Sequence, residues 1–340
     1  MSKINIAVVG CGYWGPNLIR NFSQLTNVDR VFACDKDKNR LSKVRDHFPN
    51  INTTDNFENI INNTEIDAVA IATPVFLHHK LGKQVLESGK HLFIEKPLTS
   101  SVAEAKELLR LARENKKTLM VGHTFEYTPA VNKIKEIIDS GELGEIYYVD
   151  MSRLNLGLFQ PDINVIWDLA PHDLSILMFV LGQRPTSVSA YGASHVIENI
   201  EDVAQVRIEF SNKLFALLHV SWLDPCKVRR ATIVGSKKML VYNDITPLEK
   251  IRIYDRGVES ESSYDSFGEF HLSYRYGDIY IPMLSGIEPL KVECSHFVEC
   301  ILEGKTPNTD GQNGLNVVTI LEATQESIKK NGIRVDLNWN

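Results

Sequence analysis

Cysteine is scarce in this chain of 340 residues. The five present, at positions 11, 34, 226, 294 and 300, are odd in number and form no C-x-x-C pair. That pattern argues against a disulfide framework and fits reduced thiols in a cytoplasmic protein; no metal site is expected. Excess positive charge is also missing. The formal net charge is −6 and no dense Lys/Arg cluster occurs, so a nucleic-acid partner is not expected. Long apolar runs are absent: LSILMFVL at 174–181 falls far short of a bilayer span. The opening MSKINIAVVG has neither the apolar region nor the cleavage site of a secretory signal, so no membrane association is expected. Repeats and low-complexity tracts are lacking too. With 43% hydrophobic and 24% charged residues, the composition is that of a globular chain long enough for two domains.

What is present is a rhythm. KINIAVVG, VFACD, DAVAIAT, HLFIE and TLMVG read as short strands, apolar on both faces, with helical segments such as FLHHKLGKQVLESG and VAEAKELLRLARENK between them. That predicts an α/β domain over residues 1–123 with a parallel sheet covered on both faces. After residue 123 the rhythm changes. A helix (PAVNKIKEIIDSG), a strand (EIYYVDMSRL) and the helix within WDLAPHDLSILMFVLG lead into consecutive strands from about 186 to 254. Residues 124–340 are therefore expected to form an α+β domain with an antiparallel sheet, closed by helices near 290–303 and 311–330. RGVESESSYDSFGEF is polar and reads as a loop.

Residues 10–15 read G-C-G-Y-W-G directly after the first strand. In that context Gly10 permits a tight turn and Gly12 lets backbone approach a pyrophosphate. Gly15 allows close helix–strand packing, and Tyr13 and Trp14 are assigned to the same cofactor-binding set. Asp35 ends VFACD, 20 residues after Gly15, where an acid bonds the adenosine ribose hydroxyls. It repels a 2′-phosphate, so NAD is expected over NADP, with Lys36 and Arg40 nearby to soften the preference. Thr73 and Pro74 follow the third apolar strand, where a nicotinamide ribose would sit. His78 is assigned to the same cofactor set, beside a packing alternative. HLFIEKPLT places Glu95 and Lys96 at a strand's carboxyl end, where open α/β sheets bind ligands, and Pro97 restrains the lysine's backbone.

GCGYWG, ATP at 72–74, EKP at 95–97 and D-x-x-x-H at 168–172, in this order, resemble the Gfo/Idh/MocA oxidoreductases over essentially the whole chain. The resemblance implies a Rossmann domain, then a domain with an open, mainly antiparallel sheet that is often an oligomer interface. A homodimer or homotetramer follows from it. It also implies NAD(P)-linked chemistry on a sugar or cyclitol hydroxyl, with Lys96, Asp168 and His172 as the catalytic set. The wording GYWGPN, SRLNLG and WDLAPHDLSI is similar to a branch that includes UDP-N-acetylhexosamine 3-dehydrogenases.

Oxidising an alcohol removes a hydride from carbon and a proton from oxygen. Imidazole suits the proton transfer, which makes His172 the expected base, and Lys96 would stabilise developing alkoxide charge. Asp168 would orient the imidazole, bind a neighbouring hydroxyl or only cap its helix. Asp173 is read as structural or supporting. Besides Lys96 and His172, the expected substrate contacts are Arg153 and Arg275 for phosphate, with Asn155, Asn164, Trp167 and Tyr274 for hydroxyl, acetamido or ring faces.

Overall fold

The computed structural model describes residues 3–157, 159–160, 162–260 and 272–339. Strands and helices alternate at first: β1 (Ile4–Val9), α1 (Gly15–Ser23), β2 (Val28–Cys34), α2 (Lys38–His47), β3 (Asn52–Thr54), α3 (Phe57–Ile61), β4 (Ala68–Ile71), α4 (His78–Glu87), β5 (His91–Glu95), α5 (Val102–Glu114) and β6 (Leu119–Gly122). The strands form one six-stranded parallel sheet in the order β3-β2-β1-β4-β5-β6. The order reverses direction between β1 and β4, which is where such sheets bind nucleotides. Central strands buried on both faces explain the unbroken apolar runs of the sequence: Ala68, Val69, Ala70 and Ile71 are all inaccessible to solvent.

Then come α6 (Pro129–Asp139), β7 (Ile146–Leu156), α7 (Val165–Leu181), β8 (Ser187–Ala193), β9 (Val203–Glu209), β10 (Phe215–Ser221), β11 (Leu223–Gly235), β12 (Met239–Asn243), β13 (Ile251–Ser260) and β14 (Leu272–Tyr280). The chain ends with α8 (Pro289–Glu303), α9 (Gly311–Lys329) and β15 (Val335–Asp336). The second sheet has nine strands in the order β14-β13-β12-β11-β7-β10-β9-β8-β15. Its pairs are antiparallel except β7 with β10, so it is mixed but mainly antiparallel, as the strand runs predicted. The expected polar loop begins instead as the end of β13, and its residues 261–270 lie outside the described residues. No helix among the described residues is long and apolar enough to cross a membrane.

The chain makes two compact units, Met1–Thr128 with Ile287–Glu322, and Pro129–Gly286 with Ala323–Asn340. A single cut at residue 123 therefore misplaces α8 and most of α9. The reason is packing: Leu290, Cys294, Phe297 and Val298 of α8 belong to the first unit's core. There the Phe297 ring meets Phe93 and Phe22 at centroid separations of 5.6 and 6.4 Å. α8 also buries Glu293, whose carboxylate accepts from the Thr124 hydroxyl at 2.7 Å. Nearby Glu126 is buried and accepts from the Asn313 amide at 3.0 Å. Burial raises both carboxyls, Glu126 to about 8 and Glu293 well above the ordinary range, the latter helped by the charge of Glu95.

In the second unit α7 packs on β10, β7 and β9 through Leu174, Ile176, Leu177 and Val180. Its N-cap is Asn164, whose side-chain oxygen accepts from the backbone N–H groups of Ile166 and Trp167. The helix ends at Gly182, which adopts φ +64 as a left-handed C-cap. Behind the helix, Arg153 of β7 and Asp173 of α7 form a bidentate ion pair, with Nε–Oδ2 2.5 Å and Nη2–Oδ1 3.1 Å, both side chains within 5% of full burial.

Two outcomes follow. Removing one partner of a buried pair leaves the other's charge in the core, so Asp173→Ala should lower unfolding free energy by about 3–5 kcal/mol in a urea titration. The folded state holds a proton on Glu126 that the unfolded chain, with a carboxyl pKa near 4.5, releases. Its contribution to stability is complete below about 4.5 and is lost as pH rises through about 8. Thermal scans from pH 5 to 8.5 should therefore show a smaller fall in Tm for Glu126→Gln than for the parent protein.

Candidate active site

The turn after β1 is shaped by close approaches. Gly10 has φ +96, and a Cβ there would lie 2.5 Å from the Ala72 carbonyl oxygen. A Cβ on Gly15 would sit on the Gly10 carbonyl, so α1 must start at a glycine. Over Gly12 the space is open: its nearest neighbour would be Arg40 Nη1 at 3.7 Å. Trp14, the N-cap of α1, makes no side-chain cap bond, and Tyr13 beside it is 92% exposed. A bare backbone turn before a helix N-terminus is what a pyrophosphate needs. Asp35 braces the turn, accepting from Cys11 N–H at 2.7 Å and Asp37 N–H at 2.8 Å, with Arg40 Nη1 at 3.5 Å. Each carboxylate oxygen keeps a second lone pair for a ribose hydroxyl. These residues fit NAD.

Thr73 and Pro74 follow β4, and Glu95 and Lys96 lie where β5 ends. Thus Gly10, Gly12, Tyr13, Trp14, Gly15, Asp35, Thr73, Pro74, Glu95 and Lys96 all occupy carboxyl ends of parallel strands or the turns that follow. His78 differs from its cofactor assignment. Its ring is 1% exposed, with Nδ1 2.9 Å from the Pro97 carbonyl and Nε2 2.8 Å from the Thr73 carbonyl. It ties the turn after β4 to the turn carrying Lys96 and has no face left for a ligand. Burial and the Lys96 charge lower its pKa, so the neutral ring donates to one carbonyl and only touches the other.

Glu95 is paired across the sheet with Gly122, where a Cβ would come within 2.9 Å of Oε2. Burial raises its carboxyl to about 7, against the opposing Lys96 charge. His123, after β6, is wholly buried with neither ring nitrogen hydrogen-bonded among the described residues. Burial and Lys96 lower it to about 3, so it is a neutral imidazole. Among the described residues no group of three or more His, Cys, Asp or Glu is arranged to hold a metal.

In the second unit the front of α7 presents Asp168 and His172, four residues apart and so on one helix face. Both are half-buried. Asp168 is not the cap, because Asn164 fills that role. Its Oδ2 instead accepts from the indole N–H of Trp222 at 3.1 Å. Trp222 carries no sequence signal as a functional residue, since a Trp after an apolar strand reads as core. α7 begins at Val165, so Pro171 lies inside it. Trp167 in the first turn and Asn155 near the end of β7 are half-buried.

Four expected substrate contacts are corrected or displaced. Arg153 is consumed by Asp173 behind the helix. Asn164 caps α7 and donates to Glu201 and Gln325, at 2.6 Å each. Arg275 pairs with Asp255 at 2.9 Å and donates to the Lys237 carbonyl. Tyr274, 64% exposed, shares β14 with it at the sheet edge, four strand positions from β7. At about 4.8 Å per strand that is roughly 19 Å away.

Known proteins agree with this layout. Residues 4–123 match the model of the Gfo/Idh/MocA oxidoreductase family, NAD-binding Rossmann fold, and residues 131–241 match the Gfo/Idh/MocA C-terminal domain. An NAD(+)-dependent scyllo-inositol 2-dehydrogenase of Bacillus subtilis is 27% identical, covering 99% of this chain and 97% of its own. A UDP-N-acetylglucosamine 3-dehydrogenase of Acidithiobacillus ferrooxidans is 27% identical over 76% of this chain and 79% of its own. A levoglucosan dehydrogenase solved with NADH and L-sorbose superposes with TM-score 0.83 at 20% identity, covering 99% of this chain and all of the other, which shows a shared fold. With both of its domains matched, and a glycine turn that fits NAD inside the first of them, the chain belongs to the Gfo/Idh/MocA family of oxidoreductases.

Proposed function

We propose that this enzyme is an NAD-dependent dehydrogenase of a sugar ring hydroxyl, and that its substrate is a UDP-N-acetylhexosamine oxidised at C3. The observation that carries the reaction type is the joint presence of Lys96 at a Rossmann strand end and Asp168 with His172 on one face of α7. A protein that only sensed NAD would need the glycine turn without those three. NAD, held by the glycine turn and Asp35, would supply the hydride acceptor. His172 takes the hydroxyl proton, Lys96 supplies positive charge that stabilises a developing alkoxide, and Asp168 accepts from a neighbouring hydroxyl or from the imidazole. The matched UDP-N-acetylglucosamine 3-dehydrogenase supports the finer substrate assignment.

A second reading, a free sugar or cyclitol dehydrogenase, is favoured by Arg153 and Arg275. Both are spent on internal partners, so the two cations expected to read a diphosphate do not do so. The matched scyllo-inositol 2-dehydrogenase supports this reading. Assembly as a homodimer or homotetramer belongs to either reading. Tyr191 and Leu217 lie exposed on the second sheet, opposite Gln205 and Arg207 of β9.

Purified protein with NAD and UDP-N-acetylglucosamine should raise absorbance at 340 nm. Turnover of scyllo-inositol but no nucleotide sugar would select the second reading instead. Lys96→Ala and His172→Ala should each cut turnover by about 10²-fold or more while NAD affinity, read by fluorescence quenching, is retained. Wild-type turnover in either variant removes that residue from the mechanism. Asp35→Ser should weaken NAD about tenfold and, with Arg40 left in place, raise the NADP rate relative to NAD.

A further inference from the structure

We propose that Trp222 is a positioning residue for the alcohol oxidation, fixing Asp168 through its indole N–H. The inference rests on Asp168 taking part in that reaction. The indole nitrogen can only donate, so at 3.1 Å it holds Oδ2 of Asp168 as an acceptor. Trp222 is itself wholly buried and fastened on both sides by backbone: its N–H donates to the Asp202 carbonyl at 2.8 Å, and its carbonyl accepts from Gly157 N–H at 2.9 Å.

The rings around it leave it no freedom. Phe159 meets the indole edge-on at a centroid distance of 5.3 Å, and a Cβ on Gly157 would fall 2.4 Å from the indole Cδ1. Asp202 is equally fixed, its buried carboxylate accepting from the N–H groups of His195 at 2.6 Å and Val196 at 2.9 Å. Asp168 is thus braced from the sheet side, by the junction of β10 and β11 and the start of β9. A tryptophan that served only the core would not need its one polar atom on the aspartate that shares a helix face with His172.

Trp222→Phe keeps a ring and deletes the N–H. With NAD and a probe set of UDP-N-acetylglucosamine, scyllo-inositol and D-glucose, its kcat should fall about tenfold on the probe the parent oxidises. KM for that probe should stay within about threefold and Tm within a few degrees. In an Asp168→Ala background the same change should cost nothing further, because the acceptor is already gone. In 5-fluorotryptophan-labelled protein, the ¹⁹F line lost in Trp222→Phe should move in Asp168→Ala while the lines of Trp14 and Trp339, remote in sequence from residue 168, stay. Wild-type kcat in Trp222→Phe, losses that multiply in full in the double variant, or a Trp222 line indifferent to Asp168→Ala would each overturn the proposal. If instead Asp168→Ala turns over at the parent rate, the assignment of Asp168 to the reaction falls. If no probe is oxidised, the substrate reading falls and the ¹⁹F line alone decides whether the indole holds Asp168.

Discussion

The second unit turns on one buried ion pair. α7 must do two things that conflict: bury an apolar stripe deep against the sheet, and keep Asp168 and His172 accessible at its front. Leucine and isoleucine packing holds a helix down without fixing its rotation. The Arg153–Asp173 fork does fix it, because two parallel hydrogen bonds between a planar guanidinium and a carboxylate allow one geometry. With Asp173 turned to β7, His172, one residue before it, is offset by about 100° around the helix. An arginine in this position looks like a ligand-reading residue in the sequence, yet its role is to aim the helix.

The first unit is constrained by crowding rather than charge. The turn after β1 runs against the turn after β4 so closely that only glycine fits at position 10, and α1 returns so closely that only glycine fits at 15. Asp35 then closes the arrangement from β2 by accepting two backbone N–H groups. At Gly10 and Gly15 the motif describes backbones packed with no room for side chains, and at Gly12 the open space leaves a bare surface for a dinucleotide.

The sheet layers and the nucleotide turn were legible in the sequence because each rests on local chemistry: apolar runs of strand length, helical periodicity, glycines before a helix and an acid at a fixed distance. Short or polar elements were not. α2 and α3, with β3 between them, carry few apolar residues, and β12 and β14 lacked a clean alternation. Long-range partnership was invisible as well. Nothing local to Arg153 announces Asp173, and nothing near Asn164 shows that Glu201 and Gln325 will claim its amide. His78 reads as a cofactor or packing residue, nothing local marks Glu126 or Glu293 as buried, and only the tertiary packing buries all three. Lys96, Asp168 and His172 stand out in the sequence through the order of the family motifs along the chain, whereas Trp222 has no pattern to betray it.

The return of α8 to the first unit has a consequence for how the protein is made. The second unit is spliced into the first, so the Rossmann core emerges from the ribosome without Phe297 and the other apolar side chains that complete it. Nearly three hundred residues must be synthesised before that face is covered. Until then the nascent chain carries an open hydrophobic surface on a nearly finished domain. A fragment ending at residue 128 would be left permanently in that state, whatever its affinity for NAD. The order of synthesis makes completion of the cofactor domain wait for the domain that carries His172, so a truncated chain cannot become a freestanding NAD binder of full stability.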